Sequence, residues 1–432
     1  MRIPPVAAGE KTFPEKAAGF SLWLLAATPV AMLVSYRITS ILLPLAMLPG
    51  LLQMVRGELS LSPQAYWPRF FVFAGTIFIA WCAISSSWSV DPLESLISTA
   101  KVAGIVFAAW LCGAYLLGQN VISARLWRKH LTVAYFVSAS SVLALILLNY
   151  FVLSDRFESE EYKNIYLVSP AGNVILRSWY NQVVAFMILC AWVVAAGQCS
   201  HLTWLRLLTL LIALAVAVSV GYWIGVVAFV AGTLVFLVSL QFKRQVSVLM
   251  AVAVLAATIS LPWISSHFST FEQAVETPPS GNPSVVHRTL IWRFASDAIA
   301  EKPLIGWGMN GSRHIPGGNE KIPLQVGGVP KNFERLPLHP HSTILQLWLE
   351  LGVVGAVLYA LIISGLFILL GRMQQPGRFC ELALGGLTAA VVMMGASFSL
   401  WSNWWLAAMG IVTVMGVFIT RHRGPTVDQI SS

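Results

Sequence analysis

The sequence predicts an all-α polytopic membrane protein with about twelve transmembrane helices. Hydrophobic residues make up 57% of the 432-residue chain and charged residues only 10%. Apolar runs of about 20 residues recur along the chain, the length that an α-helix needs to cross the ~30 Å hydrocarbon core. The runs are continuously apolar instead of alternating, which excludes a transmembrane β-barrel. The predicted spans lie near residues 20–36, 40–55, 68–86, 97–118, 130–153, 179–197, 203–219, 221–241, 246–265, 343–371, 378–399 and 402–420.

Basic residues predict how this bundle is oriented. If the N-terminus is cytoplasmic, 15 of the 27 Lys and Arg residues fall on the cytoplasmic side, and the short outer loops near 87–96, 219–222 and 399–403 contain none. This distribution follows the positive-inside rule. We therefore expect both termini in the cytoplasm, and we interpret the net charge of +9 as a topology signal instead of a nucleic-acid-binding signal.

Two segments, 154–178 and 266–342, are predicted to lie outside the bundle on its outer face. We expect a single membrane domain over residues 1–432, with the loop 266–342 inserted between the ninth and tenth spans. The cysteines avoid both segments, which argues against a disulfide framework or a thiolate metal site and favours burial in the bundle. They are Cys82, Cys112, Cys190, Cys199 and Cys380.

The large outer loop is predicted to contain an interfacial helix. Ser284 is a suitable N-cap, and Lys302-Pro303 ends the helical pattern. Apolar residues repeat along one side of this helix, so we expect it to lie on the membrane or across the bundle. A glycine-rich turn, Gly306-Trp-Gly308, follows it. Loops of this length without a core of their own are usually functional or disordered.

A histidine at the end of this loop is the principal candidate for chemistry. The polar loop ends at His339-Pro-His341, and the chain continues as a long apolar helix. On a continuous helix, Trp348, Gly352 and Gly355 lie within about 40° of His341. Glycine inside a helix costs roughly 1 kcal/mol relative to Ala, so two on this face predict close packing or a ligand. An imidazole at a membrane surface can act as a base toward a lipid-linked substrate.

These features resemble the O-antigen ligase and polymerase superfamily of bacterial envelope glycosyltransferases. The resemblance covers most of the chain: about twelve spans, a large outer loop before the tenth, and a short cytoplasmic tail. The ligase signature is His, then Asn, Ser or Gln, nine residues, Gly, two residues, then Gly, Thr or Tyr. This chain matches it at His341, Ser342, Gly352 and Gly355. The superfamily's upstream pattern is similar to Arg288, Trp292, Pro303 and the Gly306-Trp-Gly308 turn.

Two positions depart from the superfamily's pattern. Many members carry Asn after the histidine, where this chain has Ser342. Many also carry a Ser-Arg pair near the start of a middle span, where this chain reads Ser219-Val220-Gly221. The phosphate contact that such a pair implies therefore cannot be carried over to this chain.

The resemblance implies transfer of a glycan from undecaprenyl diphosphate to a sugar hydroxyl of lipid A–core, at the periplasmic face of the bacterial inner membrane. Diphosphate is already a good leaving group, so the protein must stabilise the charge that develops on it and activate the acceptor hydroxyl. Guanidinium groups suit diphosphate oxygens. The loop contains no Asp-x-Asp pair, and we expect an inverting, metal-independent reaction without a cofactor.

Eight residues are candidates for this site. His341 is the expected general base, and Arg288 is the expected catalytic partner of the diphosphate. The expected substrate-binding residues are Arg177, Lys101, His339, Trp348, Gly352 and Gly355. His339 is also a second candidate base. Structural alternatives stay open: Arg288 could pair with Asp297 or Glu301, Arg177 could mark the membrane edge, and Glu350, predicted to lie opposite His341, could serve in packing or hydrogen bonding.

Two other kinds of function compete with ligation. An O-antigen polymerase or a protein O-oligosaccharyltransferase uses the same donor with another acceptor. The short tail argues against the oligosaccharyltransferase, whereas the polymerase is harder to exclude. A transporter predicts paired broken helices in two related halves, and we find no such repeat. The expected partners are the lipid-linked donor, the lipid A–core acceptor and membrane lipids, with no nucleic acid.

Overall fold

The computed structural model of the chain describes residues 13–59, 68–118, 124–148, 166–168, 174–198, 203–277, 279–280, 282–326, 329–375 and 377–421. Its α-helices are α1 (Phe13–Ala31), α2 (Thr39–Val55), α3 (Arg69–Ser85), α4 (Pro92–Gly118), α5 (Ala124–Leu148), α6 (Arg177–Gly197), α7 (Thr203–Val220), α8 (Trp223–Ser265), α9 (Phe271–Glu276), α10 (Pro283–Glu301), α11 (Thr343–Arg372), α12 (Phe379–Ala396) and α13 (Asn403–Arg421). Short 3-10 helices cover Tyr36–Ile38, Ser86–Trp88 and Gly311–His314. The strands are β1 (Tyr166–Val168), β2 (Val174–Leu176), β3 (Lys321–Val326) and β4 (Val329–Glu334).

The long helices agree with the predicted class of membrane protein. Within the described ranges, 8 helices are long and apolar enough to cross a membrane, and Asn403–Ile419 is a shorter apolar helix. Helices α1 and α5 also lie where spans were predicted, although α5 ends at Leu148, so residues 149–153 of that predicted span lie outside the described residues. The all-α polytopic fold is confirmed, and the count of twelve spans stays a prediction.

The longest helix, α8, combines two predicted spans that we had expected to be separate. It has 43 residues, and a straight helix of that length is about 65 Å long, roughly twice the hydrocarbon core. The backbone at Phe242 leaves helical geometry, with φ −123° and ψ 44°. The predicted break near 242–245 is therefore a kink at Phe242 between two helical arms.

Hydrogen bonds show that both arms of α8 run from the kink toward the same end of the bundle. The middle of α8 contacts the last turn of α11, whereas both arms reach the opposite end of the bundle. The contacts are Lys243 Nζ to the Met373 oxygen at 2.7 Å, Trp348 Nε1 to the Thr258 oxygen at 2.7 Å, and Tyr222 Oη to Ser397 Oγ at 3.2 Å. We call the end of the bundle that carries Tyr222, Ser397 and His341 the histidine end.

Small residues allow the helices to approach closely where α8 crosses α12. A Cβ atom on Gly232 would lie 2.5 Å from the Gly385 oxygen, and one on Gly385 would lie 2.7 Å from the Trp192 ring. Such close backbone contact through small residues is typical of helix packing in membranes. The interior also buries the described cysteines as predicted, namely Cys82, Cys112, Cys190 and Cys380. Cys199 lies outside the described residues.

Helix α10 lies across the histidine end of the bundle, one of the two predicted placements. Its apolar side packs with the first turns of α11 in one buried cluster that includes Ile291, Ala295, Ile299, Leu345 and Leu349. The predicted N-cap was wrong. Pro283 takes the first helical position, so the helix begins two residues earlier, and Asn282 Oδ1 accepts a 2.9 Å hydrogen bond from the Ser284 nitrogen.

Two β-hairpins were not predicted. Strands β1 and β2 pair antiparallel with Tyr166 opposite Leu176, and β3 and β4 pair antiparallel with Lys321 opposite Glu334. Each hairpin lies in one of the two predicted outer loops. The second hairpin is joined to α10, because His287 Nε2 lies 2.8 Å from the Glu334 oxygen. Short strands within polar loops leave little apolar pattern to detect in the sequence.

Candidate active site

His341 lies before the helix and not on it. Helix α11 begins at Thr343 with Ser342 as the N-cap, which agrees with the expected helix start. His341 has a φ of 54°, in the left-handed region that is uncommon outside glycine. The expectation that Trp348, Gly352 and Gly355 share a helix face with His341 was therefore wrong, because His341 itself has left-handed backbone geometry and precedes the helix.

A second interruption occurs at Gly352, which has φ 64° and ψ −165°. This conformation is essentially restricted to glycine. The break leaves helix carbonyl groups without their usual partners, and other segments supply the donors. Leu349 accepts from the Trp307 nitrogen at 2.8 Å, Glu350 from the Gly308 nitrogen at 2.8 Å, and Leu351 from Trp81 Nε1 at 2.9 Å.

The Gly306-Trp-Gly308 turn therefore packs directly against the break in α11. A Cβ atom on Gly306 would lie 2.5 Å from the Glu350 carbonyl carbon, and a Cβ on Gly352 would collide with the backbone of Leu304. Gly306 also has a positive φ of 68°. The Gly306-Trp-Gly308 turn of the upstream pattern thus contacts Gly352 of the signature, and the two backbone segments are too close to admit side chains. This structure fixes the loop that follows α10 against α11.

A hydrogen bond to Ser397 determines which ring nitrogen of His341 carries the hydrogen. The Nδ1 atom of His341 lies 3.0 Å from the Ser397 backbone oxygen. A carbonyl oxygen only accepts hydrogen bonds, so Nδ1 carries the hydrogen and Nε2 of the neutral ring keeps its lone pair. Burial lowers the pKa of His341; the bond to Ser397 opposes this effect, and the charge of Arg288 adds to it. The ring is therefore neutral at pH 7, with Nε2 free to act as a base.

His339 has the opposite tautomer. Its Nδ1 accepts a 3.0 Å hydrogen bond from the backbone nitrogen of His341, so its hydrogen lies on Nε2. The centroids of the two rings are 4.3 Å apart. Burial, together with the neighbouring His341 and Arg313, lowers the pKa of His339 to about 3. Because the backbone already occupies its lone pair, His339 can donate to a ligand, and the geometry favours His341 as the base.

Arg288 lies close enough to His341 for its charge to lower the pKa of that ring. Its Nη1 donates a 2.9 Å hydrogen bond to Ser284 Oγ, and its Nε is buried without a partner. The alternative that Arg288 pairs with Asp297 or Glu301 was wrong: no carboxylate pairs with it in the described part of the chain, and Asp297 pairs with Arg293 at 3.0 Å. A guanidinium with unused donors is suited to bind an anion.

The two residues after His341 carry unused hydroxyl groups. Ser342 occupies the N-cap position of α11, yet its side chain makes no capping hydrogen bond. Ser342 Oγ and Thr343 Oγ1 are both buried without a partner. Buried polar groups in folded proteins normally have a hydrogen-bond partner. These hydroxyls are therefore candidates to bind a polar group of a substrate beside His341.

Glu350 joins the segments that form this end of the bundle. Its side chain is fully buried. It accepts hydrogen bonds from the Asn310 nitrogen at 2.7 Å, Ser312 Oγ at 2.5 Å, Gln346 Nε2 at 3.2 Å and Trp401 Nε1. The alternative that Glu350 serves in hydrogen bonding is confirmed. The signal for this role was a carboxylate within an apolar span, because such a group needs hydrogen-bond partners. The sequence did not show which residues those partners are.

The remaining predicted site residues fall into three groups. Lys101 and His339 line a common cavity. Trp348 donates a hydrogen bond to Thr258, and Gly355 packs against the preceding turn of α11. Both contact the protein itself, and their role in substrate binding stays a prediction, as does that of Gly352. The side chain of Arg177 lies outside the described residues.

One cluster near the cavity has the composition of a metal site. Ligand-type atoms of Asp91, Glu94 and His314 lie within 4.8 Å of one another. Each carboxylate already has partners, because Asp91 accepts from the Glu94 nitrogen at 2.9 Å and Glu94 accepts from Asn310 Nδ2 at 2.9 Å. A helix cap and polar contacts therefore account for the cluster. The expectation of a metal-independent reaction stays a prediction.

These features define a polytopic membrane protein with a histidine pair and cationic groups at one end of its bundle. Residues 207–360 match the family model described as O-antigen ligase, a segment that includes Arg288 and the whole signature from His341 to Gly355. Together with the curated relatives described next, this match supports the O-antigen ligase superfamily as the family that the chain resembles. The same findings support a function of the polysaccharide ligase or glycosyltransferase type.

Curated relatives agree with this assignment over most of their length. A protein of Rickettsia conorii named "Putative polysaccharide ligase" is 24% identical over 336 residues, which cover 77% of this chain and 75% of that protein. A protein of Rickettsia felis with the same name is 23% identical over 363 residues, covering 83% and 82%. One from Rickettsia bellii is 24% identical over 335 residues, covering 77% and 76%.

Proposed function

We propose that this protein transfers a glycan from undecaprenyl diphosphate to a sugar hydroxyl of lipid A–core at the periplasmic face of the bacterial inner membrane. One observation carries the proposal. The bond from His341 Nδ1 to Ser397 leaves a neutral imidazole with a free Nε2 beside Arg288. A base next to a guanidinium that pairs with no carboxylate of the described residues matches a reaction that removes a proton from an acceptor and develops negative charge on a leaving group.

In the proposed reaction, His341 Nε2 takes the proton of the acceptor hydroxyl while the hydroxyl oxygen attacks the anomeric carbon of the donor. The bond between that carbon and the diphosphate oxygen breaks, and its electron pair leaves with undecaprenyl diphosphate. Attack from the face opposite the leaving group inverts the anomeric centre. The proton on His341 then passes to water or to the diphosphate product, because the charge of Arg288 disfavours a cationic ring.

Arg288 stabilises the negative charge of the departing diphosphate in this proposal. The guanidinium presents several N–H groups in one plane, which suits phosphate oxygens. Nη1 is anchored to Ser284, and Nε, which has no partner among the described residues, is left for the ligand. The free hydroxyls of Ser342 and Thr343 lie next to the base in the chain and can bind the same diphosphate or the acceptor sugar.

The proposed orientation places both termini in the cytoplasm and the histidine end in the periplasm. Lys243 lies at the opposite end of the bundle from His341, where it contacts Met373 beside Arg372. Basic residues at that end support a cytoplasmic location for it by the positive-inside rule. Lipid-linked substrates of the periplasmic leaflet then reach the histidine end.

Transfer by the purified protein in vesicles tests the proposal. The donor is a polyprenyl-diphosphate glycan, offered with lipid A–core in one reaction and with a second copy of the donor alone in another. We expect glycan-bearing lipid A–core as product, an unchanged rate in excess chelator, and loss of product with His341→Ala. Lengthening of the donor without any lipid A–core product would instead identify a polymerase.

A further inference from the structure

A polar cavity opens at the histidine end on the side of His339. Its volume is about 290 Å³, at the lower limit of the roughly 300–1,000 Å³ typical of small-molecule sites and suited to one or two sugar rings. Four segments of the sequence form its walls: the first turns of α4, the 3-10 helix Gly311–His314 with the residue before it, Leu338-His339, and the segment that leads into α13. Its polar lining includes Glu94, Lys101, Asn310, Arg313, His339 and Asn403.

The lining of this cavity contains more cationic than acidic side chains. Lys101 and Arg313 are cationic, whereas Glu94 is the only carboxylate among the described lining residues. Glu94 lies 3.7 Å from Arg313 and also accepts a hydrogen bond from Asn310. No carboxylate pairs with Lys101 in the described ranges. Lys101 is therefore a cation without an acidic partner among the described residues, a condition that favours an anionic ligand.

The remaining lining is suited to a carbohydrate. His339 presents Nε2–H, since its Nδ1 accepts from the backbone of His341. Trp401 forms part of the wall, and its indole nitrogen is fixed by Glu350. Serine and asparagine side chains next to Trp401 add groups that can both donate and accept hydrogen bonds. An aromatic ring with hydrogen-bonding groups around it can contact the apolar face and the hydroxyls of a sugar together.

The cavity is next to His339, whereas Arg288 is next to His341. His339 lines the cavity and lies near Arg313, whereas His341 lies near Arg288. Neither His341 nor Arg288 is part of the cavity lining. Each histidine of the pair thus has a cationic neighbour of its own. Two anionic ligands can bind to these cationic groups at the same time, with the reacting atoms meeting near His341.

We propose that this cavity binds an anionic sugar of the acceptor glycan, with Lys101 contacting a phosphate or carboxylate group on that sugar. The proposal rests on the proposed transferase function, in which Arg288 binds the donor diphosphate. It assigns Lys101 to the acceptor and not to the donor. Since a lysine ammonium is a point charge, it can bind a phosphate or a carboxylate without strict geometry. An arginine at position 101 should therefore keep most of this contact.

Kinetics with two matched acceptors test the proposal. One is a lipid-linked core oligosaccharide with a single phosphorylated sugar, and the other is the same molecule without the phosphate. We expect Lys101→Gln to raise KM for the phosphorylated acceptor about tenfold, the usual effect of losing one charge-assisted hydrogen bond. We expect kcat, KM for the donor and KM for the phosphate-free acceptor to stay within about twofold. Lys101→Arg should keep most of the wild-type affinity for the phosphorylated acceptor.

The control variant is Lys321→Gln, which removes the same charge from the exposed β3 strand outside the cavity; its kinetics should match those of the wild type. Inorganic phosphate is added as a competitor, and weaker competition by it than by the phosphorylated glycan supports a site for the sugar. An equal effect of Lys101→Gln on both acceptors, or a rise in KM for the donor, would overturn the proposal while leaving transfer intact. Failure of the wild type to transfer to either acceptor would instead refute the transferase function.

Discussion

His341 Nδ1 lies 3.0 Å from the Ser397 backbone oxygen, and this contact joins the start of α11 to the end of α12. The acceptor is a main-chain atom, so the contact depends on the fold and not on the identity of residue 397. It holds a histidine whose φ of 54° lies in the left-handed region. Such backbone strain costs about 1–3 kcal/mol and is concentrated at functional sites. We infer that the fold sustains this strain to keep His341 in one tautomer.

The first prediction concerns the pH dependence of transfer. A general base must be neutral, and burial lowers the pKa of His341 below its ordinary value. The rate should therefore stay high as pH falls through the ordinary imidazole range and decline only at lower pH. Arg288→Gln removes a positive charge that contributes to this lowering, so the pKa of His341 rises and the decline moves to higher pH. The measurement is kcat/KM for the acceptor against pH.

Arg288→Lys provides the control for this pH profile. It keeps the positive charge but loses the planar donors, so the decline should stay near the wild-type pH while transfer slows through weaker contact with the diphosphate. A pH profile for Arg288→Gln that coincides with that of the wild type would mean that the charge of Arg288 does not lower the pKa of His341.

The second prediction concerns Gly352. Its φ of 64° excludes most side chains, and a Cβ atom would collide with the backbone of Leu304. We expect Gly352→Ala to lower the free energy of unfolding by about 3 kcal/mol or more and to reduce transfer, since the Gly306-Trp-Gly308 turn must move. Thermal unfolding in detergent and initial transfer rates measure both effects.

Gly104→Ala is the matched control for Gly352. Gly104 lies in α4, and a Cβ atom there meets nothing within 4 Å. This change should leave stability within about 1 kcal/mol of the wild type or raise it slightly, because Ala is the better helix former. Equal stability of the two alanine variants would mean that the protein does not need the break in α11 for its stability.

The third prediction concerns Glu350. Replacing it with Ala leaves several buried donors without an acceptor, each costing about 1–3 kcal/mol, so we expect a loss of at least about 3 kcal/mol of unfolding free energy. Glu350→Gln should be intermediate, since its amide keeps one acceptor oxygen but turns N–H groups toward other donors. Glu276→Ala, at an exposed position, should change stability by less than about 0.5 kcal/mol.

Composition was sufficient to predict the class of fold, and motif spacing pointed to the candidate site at the end of the large loop. Long apolar runs required helices that cross a membrane, and a polar loop ending at two histidines identified the end of the bundle where the polar groups meet. The apolar side of α10 was also predicted correctly. These features depend on local periodicity, which the sequence displays directly.

Tertiary contacts explain what the sequence could not reveal. The kink at Phe242, the left-handed backbone at His341 and the break at Gly352 each require partners from distant segments. A helical wheel assumes continuous rotation, so it misplaced His341 relative to Gly352. The cavity beside His339 was equally inaccessible, because its walls come from segments more than 200 residues apart, at Lys101 and Arg313.

The most direct test of the account is the initial rate of glycan transfer by purified His341→Ala, compared with the wild type and with His267→Ala. His267 lies exposed beyond the end of α8 and serves as the control. We predict that His341→Ala lowers kcat by about 100-fold or more with KM for the donor little changed, and that His267→Ala is indistinguishable from the wild type. Transfer by His341→Ala within a few-fold of the wild-type rate would contradict the assignment of His341 as the base.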